Sequence, residues 1–268
     1  MLDRYNREIN YLRISVIDRC NHRCVYCMPE SGVDLKTHQD IFSYEQIEAV
    51  LREAVKLGIN KVRLTGGEPL LRKGIEKLVE QLSKINGLNE LCMTTNGTRL
   101  SGMAAKLKEK GLDRVNISID SLDPGKYREI TRGGELNYAL TGVDMALDAG
   151  LTPIKINMVI FADTTEEEIE EMQDFCQRKG VTLQKIMQFS LYSRDDLIMK
   201  FHAERPPKCL ECNRLRLTAD GFFKPCLFSE DEIKVDFNDI RGSIQKAIEG
   251  KPESGSSCKN RSMSAIGG

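Results

Sequence analysis

The stretch 43–65, SYEQIEAVLREAVKLGINKVRLT, decides the fold. Ser43-Tyr44-Glu45-Gln46 is a capping box, in which a serine and a glutamine three residues on satisfy each other's backbone N–H groups at a helix start. Ile47, Val50, Leu51, Ala54 and Val55 then form one apolar stripe, and Gly58 stops the helix. A strand, Lys61–Thr65, follows at once. The same unit recurs outward in both directions. Strands are predicted at 12–17, 61–65, 90–94, 114–119, 154–160 and 182–187, with Val115, Ile117 and Ile119 sharing one face of the fourth. Helices are predicted at 74–85, 101–110, 136–149 and 165–179, and Gly111, Gly150 and Gly180 end three of them. Alternating β and α units imply a parallel sheet. Six units are too few for a closed eight-stranded barrel, so the expected α/β fold is an open partial (β/α)6 TIM-type barrel over 1–187. A flat α/β sheet is the alternative. The extension 188–268 is expected to begin irregularly over 188–208, to form a hairpin (214–218 with 222–225) around Asp220-Gly221, and to pass through a linker at 251–257 to the Gly267-Gly268 end.

Bulk properties exclude several classes. With 39 basic and 40 acidic residues the net charge is −1, which gives no field to attract nucleic acid or an anionic membrane. No apolar run reaches membrane-spanning length, and residues 1–10 lack the apolar core of a signal peptide, so a cytoplasmic location is expected. Nine cysteines in a reducing compartment point to metal ligation rather than disulfides. Cys92 and Cys176 lie among apolar neighbours and read as core residues.

The first motif, Cys20-Asn21-His22-Arg23-Cys24-Val25-Tyr26-Cys27, follows the first strand. Three thiolates on one loop can hold three irons of a 4Fe–4S cube and leave the fourth open. An open iron that chelates the amino-acid end of S-adenosylmethionine (SAM), beside an electron able to cleave its sulfonium, is the chemistry of the radical SAM class. Zinc would want four ligands, and His22 is squeezed between two of the cysteines. The second motif, Thr65-Gly66-Gly67-Glu68-Pro69, lets backbone approach a ligand closely. Polar groups recur at later strand ends: Thr94 to Gly97, Ser118, Asp120 and Ser121, with Lys155 and Asn157 on the fifth strand. Each could be a turn or cap, but barrel sites gather at such ends. Cys209, Cys212 and Cys226 make a second three-thiolate group, for a second 4Fe–4S cluster or for zinc with Cys258 as fourth ligand. Arg13, Arg63, Lys155, Arg214 and Arg216 are the cations suited to a polyphosphate, and the first three lie within otherwise apolar strands.

Together these stretches resemble the molybdenum-cofactor GTP 3′,8-cyclase (MoaA) family over nearly the whole chain. The matching segments include Leu12-Arg13-Ile14-Ser15-Val16, the first cysteine loop, residues 63–72, Ile130-Thr131-Arg132-Gly133, Lys155-Ile156-Asn157, the second cysteine group with Arg214-Leu215-Arg216, and the Gly-Gly end. The resemblance implies two 4Fe–4S clusters and SAM as cofactors. It implies conversion of GTP to (8S)-3′,8-cyclo-7,8-dihydroguanosine 5′-triphosphate. It further implies SAM contacts from Tyr26, Gly67, Ser118 and Met187, and GTP contacts from Arg13, Arg63, Thr94, Lys155, Arg214, Leu215 and Arg216. Expected partners are an external electron donor, a downstream cyclic pyranopterin synthase and a second copy in a homodimer. The chain departs from the family in a short 187–209 segment and in Lys185-Ile186-Met187-Gln188, where an acidic residue usually flanks the methionine. A peptide-modifying radical SAM enzyme with an auxiliary cluster, or a non-catalytic iron–sulfur or zinc scaffold, are the competing readings.

Overall fold

The structure is a computed structural model that describes residues 1–189, 191 and 209–267. Most of the 188–208 segment, for which the sequence predicts irregular structure, and the terminal Gly268 therefore lie outside the described residues. The first half runs β1 (Tyr11–Ser15), α1 (Tyr44–Lys56), β2 (Lys61–Thr65), α2 (Ile75–Ser83), β3 (Glu90–Thr95), α3 (Ala104–Glu109) and β4 (Arg114–Ser118). It continues with α4 (Pro124–Thr131), α5 (Leu136–Asp148), β5 (Lys155–Ile160), α6 (Glu166–Lys179) and β6 (Thr182–Met187). After the undescribed stretch come β7 (Arg214–Leu217), β8 (Phe222–Lys224), β9 (Ile233–Lys234), α7 (Ile240–Glu249) and α8 (Met263–Ile266).

The capping box forms as expected: Gln46 N donates to Ser43 Oγ at 3.2 Å and Ser43 N donates to Gln46 Oε1 at 2.8 Å. Helix α4 escapes the apolar periodicity because it is short, yet Asp123-Pro124 marks its start. The Asp123 carboxylate accepts from Lys126 N, and proline at the first position lacks only an N–H that would have no partner there.

Among the described residues nine strands form one sheet in the order β6-β5-β4-β3-β2-β1-β7-β8-β9. Strands β1 to β7 pair in parallel, and among the described residues β6 and β9 are the edges of a sheet that does not close. The described strands of the C-terminal extension belong to this sheet: β7 joins β1 directly, and β8 and β9 continue it antiparallel.

Strand parity separates two chemistries. Leu12, Ile14, Val62, Leu64, Leu215 and Leu217 enter the main apolar cluster together with the stripes of α1 and α2. The opposite, inner face is polar: Tyr11, Arg13 and Ser15 alternate with Leu12 and Ile14, and Arg13 pairs with Arg63 on one side and Arg216 on the other. Burying apolar residues outward, under the helices, leaves the concave side free for polar ligands.

Candidate active site

The first cysteine loop leaves β1 and is lashed down at several points. Val16 N donates to Thr65 O, Gly67 N to Ile17 O and Glu68 N to Arg19 O, so the second motif zips along the residues just before Cys20. A Cβ on Gly67 would lie 2.2 Å from Arg19 O, which is why glycine stands there. The Gly67 N–H is therefore used within the protein, and its carbonyl is what remains for a ligand. Glu68 is almost wholly buried and ties two strand ends together. It accepts from Leu70 N at 3.0 Å, Thr95 Oγ1 at 2.7 Å and Asn96 N at 2.8 Å. On the far side, Arg23 N and Val25 N donate to Thr131 O and Ile130 O at the end of α4, and Arg132 reaches back to the carbonyls of Arg23 and Met28. The Tyr26 hydroxyl donates to Asp120 Oδ2 at 3.0 Å, while Asp120 Oδ1 accepts from Val159 N at 2.9 Å.

The thiols fit a cluster that carries its own positive charge. Burial pushes Cys20 up to about 11, and Glu68 adds to the rise. Burial, then Cys20 and Asp120, push Cys27 up to about 12, and Cys24 is raised further by burial, Asp120 and the other two cysteines. Three thiols buried beside carboxylates, with no side-chain cation of the described residues among the main influences on them, leave their charge to be met by metal. Asp120 itself is raised to about 6 by burial, against its hydrogen bonds. No three His, Cys, Asp or Glu side chains among the described residues converge on one point as a single ion requires. A cube with one iron per thiolate asks for no such convergence.

The inner face carries the cations. Arg216, Arg13 and Arg63 stand side by side on β7, β1 and β2, and Arg214 and Lys61 flank Tyr11 one step below. The Tyr11 hydroxyl accepts from Arg63 Nε at 2.6 Å, and Lys61 Nζ and Arg214 Cζ lie 5.2 Å and 5.9 Å from its ring centre. Burial would raise the phenol, but Arg13, Arg63 and Arg214 together hold it below its usual value. Sequence reasoning missed Tyr11 because it begins β1, one residue before the predicted strand; its parity with Arg13 was the available signal. Glu90 claims Lys61 (2.6 Å) and Arg114, which removes both from the set available to an anion. Among the remaining cations the charges crowd. Burial, then neighbouring arginines, lower Arg216 to about 9; Arg13 falls to about 10, mainly through burial. The Nε of Arg214 is buried with no hydrogen-bond partner among the described residues. A buried cationic row of this kind calls for a polyanion.

The other residues expected at the site are distributed as follows. Thr94 Oγ1 accepts from Arg63 Nη1 at 3.3 Å, and Lys155 stands across the inner face opposite Asn116 and Thr182. Ser118 is opposite Asn157 on the same face. Two residues depart. Leu215 is fully buried in the main apolar cluster, because alternation turns it away from Arg214 and Arg216. Met187 pairs with Ile160 and packs against that same cluster. Both present only backbone to the inner face. Cys92 is fully buried, as expected of a core residue; the register sets it beside Arg63, and its thiol donates to Glu90 Oε1 at 3.1 Å, so the side of the strand it faces is the polar one.

The C-terminal tail completes the site. Gly267 O accepts from Arg216 Nη1 at 2.9 Å and Arg13 Nη2 at 3.3 Å. A Cβ there would lie 2.2 Å from Thr65 Oγ1, and φ is +72°.

Around the second group, Cys209–Glu211 forms a single 3-10 turn, and β7 starts three residues after Glu211. Burial pushes Cys212 up, but Lys251 and Arg214 more than reverse it, so that thiol ends below its usual value. Cys226 stays raised by burial. All three thiols are half-buried, and cations bear on two of them, Cys212 and Cys226, which suits a second cluster. Cys258 is fully buried in a separate apolar patch with Leu191 and Ile266, and its thiol donates to Asn260 Oδ1 at 3.2 Å.

The radical SAM superfamily model matches residues 14–176. The chain is 41% identical to the GTP 3′,8-cyclase of Peptoclostridium acidaminophilum, over 100% of this chain and 98% of the relative. It is 38% identical to the GTP 3′,8-cyclase of Petrotoga mobilis, over all of both chains. The chain belongs to the GTP 3′,8-cyclase family of radical SAM proteins. The family's cofactors are SAM and 4Fe–4S clusters, and the two cysteine groups are the residues that would hold the clusters here. The first alignment runs over 321 positions, more than this chain's 268 residues, so that relative carries residues that this chain lacks. Among solved structures, Streptococcus suis SuiB bound to S-adenosylmethionine has a TM-score of 0.65 at 16% identity, over 89% of this chain and 68% of that one. The structure of anSMEcpe with bound AdoMet has a TM-score of 0.65 at 16% identity, over 91% and 81%. At such identity the likeness is one of fold, and it agrees with the open barrel. No helix among the described residues is long and apolar enough to cross a membrane.

Proposed function

We propose that this chain is a radical SAM lyase that converts GTP to (8S)-3′,8-cyclo-7,8-dihydroguanosine 5′-triphosphate, the first step of molybdopterin formation. The observation that carries the reading is the row Arg216, Arg13, Arg63 on the inner face, with Arg214 beside it. A triphosphate is the anion whose charge matches it. When bound, the cluster on Cys20, Cys24 and Cys27 supplies the electron that cleaves SAM to a 5′-deoxyadenosyl radical. The chain's own residues do the positioning. The Gly67 carbonyl and the inner-face Ser118 would take polar groups of SAM, as would Tyr26, which belongs to the cysteine loop and is held by Asp120. The arginines, with Thr94 and Lys155, would hold GTP so that its ribose faces the first cysteine loop. Cys209, Cys212 and Cys226 would hold the second cluster, which supplies an anchoring point for the guanine. The polar face is walled by the sheet and by the Gly267 tail, and such walls keep water from a reactive radical.

With this reading go an external electron donor, a cyclic pyranopterin synthase that consumes the product and a reducing cytoplasmic setting; a homodimer is compatible with it. The peptide-modifying alternative has no use for four arginines gathered on one inner surface. The deciding experiment is anaerobic reconstitution followed by incubation with SAM, reductant and GTP. The expected products are 5′-deoxyadenosine and a cyclised nucleotide isomeric with GTP. Unchanged GTP beside full SAM cleavage would contradict the substrate.

A further inference from the structure

Residues 251–257 have the composition of a linker, yet the structure packs them as a strap across the second cysteine group. Lys251 directly follows Gly250, the C-terminal cap of α7, and is 2% exposed. Its ammonium donates to Arg214 O at 2.7 Å and to Pro225 O at 2.8 Å. Arg214 lies two residues beyond Cys212, and Pro225 immediately precedes Cys226. One side chain therefore ties the two segments that bring Cys212 and Cys226 together, and its charge reaches the Cys212 sulfur. Further along the strap, Arg7 joins Pro252 O (2.7 Å) and Glu253 O (3.0 Å) to Cys209 O (2.7 Å), and Asp3 holds that guanidinium at 2.6 Å. Gly255 lies against the third cysteine, where a Cβ would come within 2.7 Å of Cys226 Sγ.

The two strap-bound cations differ in their counter-charge. Arg7 has a carboxylate, Asp3. Among the described residues no carboxylate lies within ion-pair distance of Lys251; its partners are carbonyls. A buried ammonium without an anion is strongly disfavoured, so one has to be supplied. Among the described residues, the anionic group that the surroundings of Lys251 can generate is the thiolate-ligated centre on Cys209, Cys212 and Cys226.

We infer that Lys251 is a positioning residue for the second iron–sulfur cluster: it is the cluster's counter-charge, fixes the spacing of Cys212 and Cys226, and raises the cluster's reduction potential. The inference rests on the two-cluster reading above. Adding an electron to an anionic centre is easier beside a fixed buried cation, because the added charge is attracted where water cannot screen it.

The test is redox titration of the anaerobically reconstituted full chain, followed by the spectroscopic signals of its clusters, for the parent, Lys251→Gln and Lys251→Arg. Glutamine keeps an N–H donor for the carbonyls and removes the charge, whereas arginine keeps the charge. The first cluster is the internal reference. Lys251→Gln is expected to lower the second cluster's midpoint so that the reduced-to-oxidised ratio at fixed potential falls about tenfold, about 59 mV for one electron. Lys251→Arg is expected to stay near the parent, and the first cluster not to move. If Lys251→Gln fails to load the second group while Lys251→Arg loads it, the charge is again the cause. An unmoved second midpoint in a fully loaded Lys251→Gln protein overturns the inference, as does equal loss in Gln and Arg variants. A parent that loads only one cluster instead overturns the two-cluster reading itself.

Discussion

The two cysteine groups have the same number of thiols and opposite surroundings. The first sits among carboxylates: Glu68 bears on Cys20, and Asp120 on Cys24 and Cys27. The second sits among cations: Lys251 and Arg214 bear on Cys212, and Lys251 and Arg216 on Cys226. SAM brings a sulfonium and an ammonium, whereas GTP brings a triphosphate. The chain, near neutral overall, is polarised inside, so in the proposed function each ligand would meet the end whose charge opposes its own.

The largest effect expected from breaking this division is at the thiols. Cys24→Ala should abolish 5′-deoxyadenosine formation, while Cys212→Ala should lose nucleotide product and keep uncoupled SAM cleavage. Equal loss of cleavage in both would dissolve the distinction between the groups. Next come the cations of the second end. Arg216→Ala or Arg63→Ala removes a charge-assisted bond of roughly 1.5–3 kcal/mol, weakening GTP binding by roughly ten- to a hundredfold while SAM binding stays near the parent. Equilibrium titration of both ligands reads this directly, and parallel losses of SAM and GTP affinity would count against it.

The architecture was largely legible in the sequence because helix capping, apolar period and glycine stops agree with one another. Strands at Lys61–Thr65 and Thr182–Met187 fall where the pattern puts them, and the others shift by a residue or two at their ends. The site was legible wherever the residue type is itself unusual, as with Arg13 and Arg63 inside apolar strands. It was not legible where tertiary register decides. Cys92 has apolar neighbours along the chain, but register sets it beside Arg63. Leu215 stands between two site arginines and faces the helices. The strap at 251–257 has a linker's composition, and only folding shows Lys251 and Arg7 pinning it down.

Gly267 tests the closure of the cationic end. Gly267→Ala introduces a Cβ within 2.2 Å of Thr65 Oγ1 at φ +72°. The tail should leave Arg13 and Arg216, lowering product yield by roughly tenfold or more, since small misplacements at a reacting centre are amplified in rate. Thermal melting should be nearly unchanged, and an unaltered yield would reduce the tail to a surface end. Tyr11→Phe is a smaller perturbation. It removes one hydrogen bond to Arg63, worth about 1 kcal/mol, and should raise the Kd for GTP roughly fivefold without moving that for SAM.

The smallest expected effect concerns Glu90. Burial alone would raise it, but Lys61, Cys92 and Arg114 hold it down to about 2 against its usual 4.5. Its contribution to stability is present above 4.5 and is lost as pH falls from 4.5 towards about 2. Glu90→Gln should flatten that acid limb in melting of the metal-free chain, and an unchanged limb would show that Lys61 and Arg114 are not neutralised as described.

The account's central claim, two separate thiolate groups each holding its own cube, is tested most directly by counting iron. The reconstituted parent should carry about eight irons per chain, four for each cube. Replacing Cys20, Cys24 and Cys27 together by serine should leave about four, and so should replacing Cys209, Cys212 and Cys226, with the surviving cluster's spectrum differing between the two variants. A parent holding about four irons, or the loss of all iron on removing either group, would contradict the account.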